Sequence, residues 1–139
     1  MSLEEGRTTR DYLFGRMLAI AEHLEQRALF VAEEKRETNA AKLMHRFADR
    51  PCSTWRTLEI ALAPSRARLR ANRPGMLLGL EKELDKVAGL FATEDFVSDA
   101  KLSGEFLLGY HCQRTALWPT NSASEDTPAA SPVAPEGEK

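Results

Sequence analysis

The sequence predicts an all-α protein: a single five-helix bundle over residues 1–118, followed by a disordered tail over residues 119–139. Three observations carry this. Apolar residues recur at steps of three and four through most of the first 118 positions. No polar–apolar alternation long enough for a half-buried strand interrupts them. Composition then changes abruptly at Pro119, after which Pro, Ala, Ser, Thr and Glu prevail and Val133 is the one branched aliphatic residue. Such a segment buries too little apolar surface to offset its ordering entropy.

The first helix is expected over Thr9 to Glu34. Leu13, Met17, Ile20, Leu24 and Val31 draw one stripe along it, and Phe14, Leu18 and Ala21 widen that stripe. Asp11 or Thr9 is placed to cap its first N–H groups, and residues 33–37 read as a charged end or linker. Asn39 is the expected cap of a shorter second helix carrying Leu43, Met44 and Phe47, with Pro51 ending it or following it closely. Ser53 or Thr54 opens a third, with Trp55, Leu58 and Leu62 inward. Pro64 lacks an N–H and clashes with the preceding turn, which predicts a kink or break there, and Leu69 anchors the segment after it. Beyond Pro74-Gly75, Leu77, Leu80, Leu84, Val87 and Phe91 form the cleanest amphipathic pattern in the chain. Asp99 is the expected cap of the fifth helix, with Leu102, Phe106, Tyr110 and Leu117 inward. Gly104 and Gly109 lower its propensity, and either allow close helix–helix approach or are tolerated defects.

A chain of 139 residues with 42% hydrophobic content has room for one domain and one modest core. The two cysteines, Cys52 and Cys112, have neither disulfide-framework nor zinc-ligand spacing, and read as reduced thiols. No apolar run approaches the roughly 20 residues that span a bilayer, and Glu4 and Glu5 precede any basic residue at the N-terminus. The expectation is a soluble, cytoplasmic protein with no membrane partner.

The chemistry-bearing residues are sparse. His23, His45 and His111 are preceded three positions earlier by Ile20, Lys42 and Leu108, so no Glu-x-x-His pair of the di-iron type exists. His111 and Cys112 are adjacent, and neighbouring helical residues point about 100° apart. Arg73-Pro74-Gly75 is a turn without the Lys-Ser/Thr of a phosphate loop. No enzyme activity, no metal and no cofactor are expected.

The positive signal is arginine. The formal net charge is −2, but the tail carries −3 and the body therefore +1. Within the body, Arg46, Arg50, Arg56, Arg66, Arg68, Arg70 and Arg73 face only Asp49 and Glu59 over the same span, a local net charge of +5. The guanidinium fork fits phosphate oxygens, and each neutralised phosphate releases counterion. Arg46, Arg50, Arg66, Arg68, Arg70 and Arg73 are thus the candidate nucleic-acid-binding residues. A solvated, salt-bridged face explains the same charges, so a helical adaptor without nucleic-acid contact is the competing class. On an unbroken helix Arg66, Arg70 and Arg73 fall near the stripe of Trp55 and Leu62. They reach solvent only if Pro64 rotates the segment or if they lie past the edge of the core. Trp55 reads as core; Trp118, where the packed body ends, is left open as a stacking platform.

Three stretches resemble a known family. Tyr12-Leu13-Phe14-Gly15-Arg16-Met17 is similar to an aromatic-Leu-x-Gly-Arg opening helix. Arg46-Phe47-Ala48-Asp49-Arg50-Pro51, followed by Trp55 and Leu58, is similar to a basic-aromatic segment before the next apolar helix. Leu108-Gly109-Tyr110-His111-Cys112-Gln113-Arg114 is similar to a closing Leu-Gly-Tyr-x-x-Gln-Arg helix. Together they resemble the C-terminal region of the large subunit of type I-C CRISPR Cascade complexes. A separate chain with only this region, opening at Met1, resembles the small subunit made from an internal start. The resemblance implies a non-catalytic role beside the backbone subunits, the large subunit and a second small subunit. It also implies contact with the crRNA-bound assembly and target DNA, holding the R-loop open.

Overall fold

The structure, a computed structural model, describes residues 3–96 and 98–118. Among these there are seven α-helices, one 3-10 turn and no strand. The helices are α1 (Arg10–Ala32), α2 (Asn39–Lys42), α3 (Met44–Asp49), α4 (Pro51–Ala61), α5 (Ala63–Asn72), α6 (Pro74–Ala88) and α7 (Glu105–Leu117); the 3-10 turn covers Thr93–Phe96. The expected count of five is corrected to seven, because two expected helices are each divided. The second breaks at Leu43, whose backbone leaves the helical region (φ −96°, ψ 2°). The third breaks at Leu62, just before Pro64. The tail expected over 119–139 lies outside the described residues.

α1 is the axis of the bundle. Every residue from Tyr12 to Glu25 is buried, so the helix is enclosed on all sides rather than along the expected stripe. α7 packs closely along it, and α5, α6 and α2 cover the rest. Complete enclosure requires the polar residues of α1 to find partners, since an unpaired buried charge is costly. Glu25, fully buried, accepts from the Asn39 N–H (3.0 Å), the Asn39 side-chain amide (2.8 Å) and the Ala40 N–H (2.8 Å). It thereby holds the start of α2 from the side, while the Thr38 hydroxyl accepts from Ala41 (3.0 Å) as the true cap. Arg16, also fully buried, donates to Gln113 on α7 (2.7 Å) and Glu83 on α6 (3.3 Å). Tyr110 on α7 donates to Glu22 (2.6 Å).

The close packing of α1 on α7 depends on two glycines. A Cβ on Gly15 would meet the backbone of Phe106 and Tyr110, and one on Gly109 the backbone of Tyr12. Gly109 is therefore a close-approach residue; Gly104 has open space around it. Phe14, Phe47, Trp55, Phe91 and Phe106 make the aromatic centre of the core, with ring centroids 4.8–6.4 Å apart.

Caps differ from expectation at several ends. Thr9 is the α1 N-cap residue without a side-chain cap bond, and Asp11 accepts instead from the Ser103 N–H (2.8 Å). Pro51 follows α3 closely and starts α4, and Pro74 likewise opens α6, because first-turn N–H groups have no intrahelical acceptor and a proline there forfeits no helix bond. Asp99 caps α4, not α7: its carboxylate accepts from the Cys52 N–H (2.9 Å), the Ser53 N–H (3.3 Å) and the Ser53 hydroxyl. These bonds hold Asp99 below the usual carboxylate range, the Ser53 hydroxyl contributing most. α6 matches its pattern, with Leu77, Leu80, Leu84 and Val87 buried.

Candidate nucleic-acid interface

The apolar stripe of α4 continues across the break at Leu62. Trp55, Leu58, Leu62, Ser65 and Leu69 are all buried, in steps of three and four. Pro64 therefore does not rotate α5 relative to α4. Leu62 keeps a right-handed helical backbone (φ −79°, ψ −12°), and the two helices meet only at their junction. The arginines are consequently spread over two consecutive helices, from Arg50 at the start of α4 to Arg70 near the end of α5.

The six predicted residues fall into three settings. Arg46 and Arg50 are exposed around the α3–α4 junction, Arg50 near the Asp99 carboxylate. Arg66 lies beside the stripe, half-buried, bridging to Glu81 on α6 (2.9 Å) with Glu59 at 3.9 Å. It ties α5 to α6. Arg68, Arg70 and Arg73 are exposed at the far end of α5. Arg68 approaches Glu34 at 3.9 Å, whereas Arg70 and Arg73 have no ion-pair partner among the described residues. Those two escape the phase conflict differently: Arg70 flanks the stripe, and Arg73 caps α5 past the last core residue, Leu69.

Tertiary packing adds residues that the arginine count missed. Arg27, on the last third of α1, shares a small cavity with Arg73, Phe30, Val31 and Met76. Burial, and then the Arg73 charge, push its guanidinium below the usual range. The same guanidinium lies 4.1 Å over the ring of Trp118, which is 37% exposed. That distance is a close cation–π contact. Trp118 also meets the edge of His23 (4.4 Å) and donates to Gln26 (3.3 Å). Beside it an open groove of about 390 Å³ is lined by Gln26, His111, Arg114, Thr115 and Trp118. Arg73, Arg27, Trp118 and Arg114 thus form one basic-aromatic face drawn from α5, α1 and α7. No local pattern brings together positions 27, 73 and 114, so only the fold could reveal it. Trp55, by contrast, is core.

His23 is buried beside this face. Its Nε2 accepts from the Arg27 guanidinium (3.2 Å), which puts the ring proton on Nδ1, a buried atom without a partner among the described residues. Burial first and the Arg27 charge second lower its pKa to about 4. Cys52 is buried with its thiol on the Ser98 carbonyl (3.1 Å), and burial pushes it up rather than towards thiolate. Among the described residues no group of three or more His, Cys, Asp or Glu could hold a metal ion. No helix there is long and apolar enough to cross a membrane.

Two of the family-like stretches are a structural pair. Gly15 and Arg16 on α1 face Gly109 and Gln113 on α7, so their spacing encodes a helix crossing rather than a ligand site. Fold and surface together define an all-α body with a basic-aromatic face, arranged to present charge across several helices. A comparison with curated proteins returned no match. The model of the CRISPR-associated protein family Cas_Csd1 matches residues 1–118, the whole described body, and the chain belongs to that family. That membership is consistent with a subunit of a type I-C Cascade complex.

Proposed function

We propose that the chain is a non-catalytic small subunit of a type I-C CRISPR RNA-guided surveillance complex, working in the cytoplasm. In this reading it sits against the crRNA-bound backbone subunits, the large subunit and a second small subunit, and stabilises the R-loop through sequence-independent contacts to nucleic-acid backbone. The observation that carries it, beyond family membership, is the pair Arg70 and Arg73. Both are exposed without an ion-pair partner among the described residues, and Arg73 joins Arg27 and Trp118. Free guanidinium groups beside an aromatic ring suit phosphate contact with base stacking nearby.

The physical role is modest and sufficient. An R-loop exchanges a DNA duplex for a heteroduplex of similar stability, so a few phosphate contacts tip the balance. Such contacts position the strand and carry no sequence information. Arg46, Arg50 and Arg68 extend the basic surface, and Arg66 braces α5 on α6 behind it.

The test uses the assembled complex with Arg70→Ala/Arg73→Ala, and Arg66→Ala as a separate variant that reports on the brace. Assembly is checked first. The double variant should weaken R-loop formation about equally on all matched targets. It should flatten the log–log salt dependence by nearly one unit per lost contact. Mismatch discrimination should keep its form, because base pairing reads the sequence. Full assembly with unchanged affinity and salt slope would refute the phosphate role and leave the helical adaptor as the reading.

A further inference from the structure

The stripe that α4 and α5 bury has a counterpart on their far side. Arg56, Ile60, Pro64, Ala67 and Ala71 follow one another in steps of four, four, three and four, and all of them are exposed. The unrotated junction at Leu62 keeps them on one face, opposite Trp55, Leu58, Leu62 and Leu69. Ile60 is the most exposed large apolar side chain among the described residues, at 77%. Thr57 and Ala63 flank the line and are exposed as well. The charges bordering this face are of one sign, Arg56 and Arg68. Glu59, the one acid of α4 and α5, lies on the flank of Arg66, 3.9 Å from its guanidinium.

We propose that the outer face of α4 and α5 is a protein-docking face, and that its occupant is an acid-rimmed apolar surface on a different subunit of the complex. The inference rests on the proposed function for the existence of such neighbours; it adds which surface meets them and the chemistry that fits it. Phosphate backbone suits the centre of this face poorly. Ile60, Pro64, Ala67 and Ala71 offer no side-chain donor, so a strand laid along them would lose hydration without gaining a bond. An apolar protein surface gains from the same contact. Ile60 supplies area to bury, and the small side chains of Ala67 and Ala71 let another helix approach closely. An apolar centre inside a charged rim is also how protein interfaces are built. The rim decides the sign of the partner. A second copy docking through the same face would set Arg56 and Arg68 against like charge, since a two-fold interface pairs a surface with itself. A partner with Asp or Glu at those margins turns that repulsion into attraction and steers the encounter. Arg68 is 40% exposed and only 3.9 Å from Glu34 at its nearest ion-pair approach, which leaves it open to such a carboxylate.

The experiment uses the assembled complex. A benzoylphenylalanine photocrosslinker takes the place of Ile60, and in a second preparation that of Lys82, exposed on α6 away from this face. Irradiation should join position 60 to another protein subunit, within a peptide that holds Asp or Glu, and position 82 should not give that product. In parallel, binding of variant chains to the remaining complex is measured, with circular dichroism confirming that each free chain is folded. Ile60→Asp should raise the dissociation constant by at least about tenfold, as loss of an interface anchor does. Arg56→Glu/Arg68→Glu should weaken binding and reverse its salt dependence, because added salt then screens repulsion. Ile60→Val and Lys82→Asp should stay within about twofold of the parent. A crosslink from position 60 to nucleic acid, to a second copy of the chain or to nothing overturns the docking, as does Ile60→Asp bound as tightly as the parent; the proposed function survives either result. A parent chain that does not bind the complex at all refutes the proposed function, and this occupant with it.

Discussion

Gly109→Ala should destabilise the protein, and Gly79→Ala should stabilise it. The two glycines are both helical and the substitution is the same, so intrinsic propensity predicts a gain of about 1 kcal/mol at each. Gly79 sits on the open side of α6, and an added Cβ meets nothing within 4 Å. The gain should appear there in full. At Gly109 the added Cβ would lie 2.9 Å from the Tyr12 carbonyl carbon and closer still to its oxygen. Ordinary contact begins near 3.4 Å, so α1 and α7 would have to part. Overpacking costs about 1–3 kcal/mol where side chains can yield. Here the obstacle is backbone in the buried axis of the bundle, so the top of that range applies. The net expectation is a loss of about 2 kcal/mol, against a gain of about 1 at Gly79. Urea denaturation at neutral pH should shift the midpoint down for one variant and up for the other, at similar slopes. A Gly109→Ala protein as stable as the parent would show that the helices do not cross there and would refute the packing argument.

Leu84→Ala should cost about 2–5 kcal/mol in the same assay, as for any leucine buried on a helix-packing face. Glu25→Ala should cost about 3 kcal/mol, because it leaves three N–H donors at the start of α2 without their acceptor; amide exchange should show α2 opening first. His23 should make stability fall with acidification. Its folded pKa of about 4 lies below the unfolded value near 6.5, so in that window the unfolded chain binds more protons. Stability is then complete above pH 6.5 and declines by about 3 kcal/mol towards pH 4. His23→Gln should lose that part of the pH dependence, and equal slopes for the two proteins between pH 4.5 and 7 would contradict the assignment.

Burying carboxylates, an arginine and a histidine inside α1 is the least expected feature of the fold. A helix enclosed on every side is ordinarily apolar all round. In α1 the polar residues instead fasten neighbours: Arg16 holds α6 and α7, Glu22 holds α7, and Glu25 holds α2. One guanidinium nitrogen of Arg16 remains unpartnered among the described residues. The axis thus contributes specificity of arrangement as well as buried area.

The sequence by itself determined the helical class, the buried apolar stripe from Trp55 to Leu69, that of α6 from Leu77 to Val87, and the family. Those rest on short-range periodicity and on motif order, which survive without knowledge of the fold. The fine division of helices was less legible. Leu43 has no breaking chemistry of its own, and the break there accompanies a start of α2 held by Glu25, fourteen residues away. Asp99 has the chemistry of a helix cap, but sequence cannot say which helix it serves; it serves α4, 47 residues earlier. Arginine clustering was visible as a local net charge, yet only tertiary structure divided it into Arg66 as a brace, Arg46 and Arg50 around the start of α4, and Arg70 and Arg73 at the end of α5. It alone assembled Arg27, Trp118 and Arg114 beside them. The physical reason is range: helical periodicity acts over three and four residues, whereas a surface is made by whichever helices the core brings side by side.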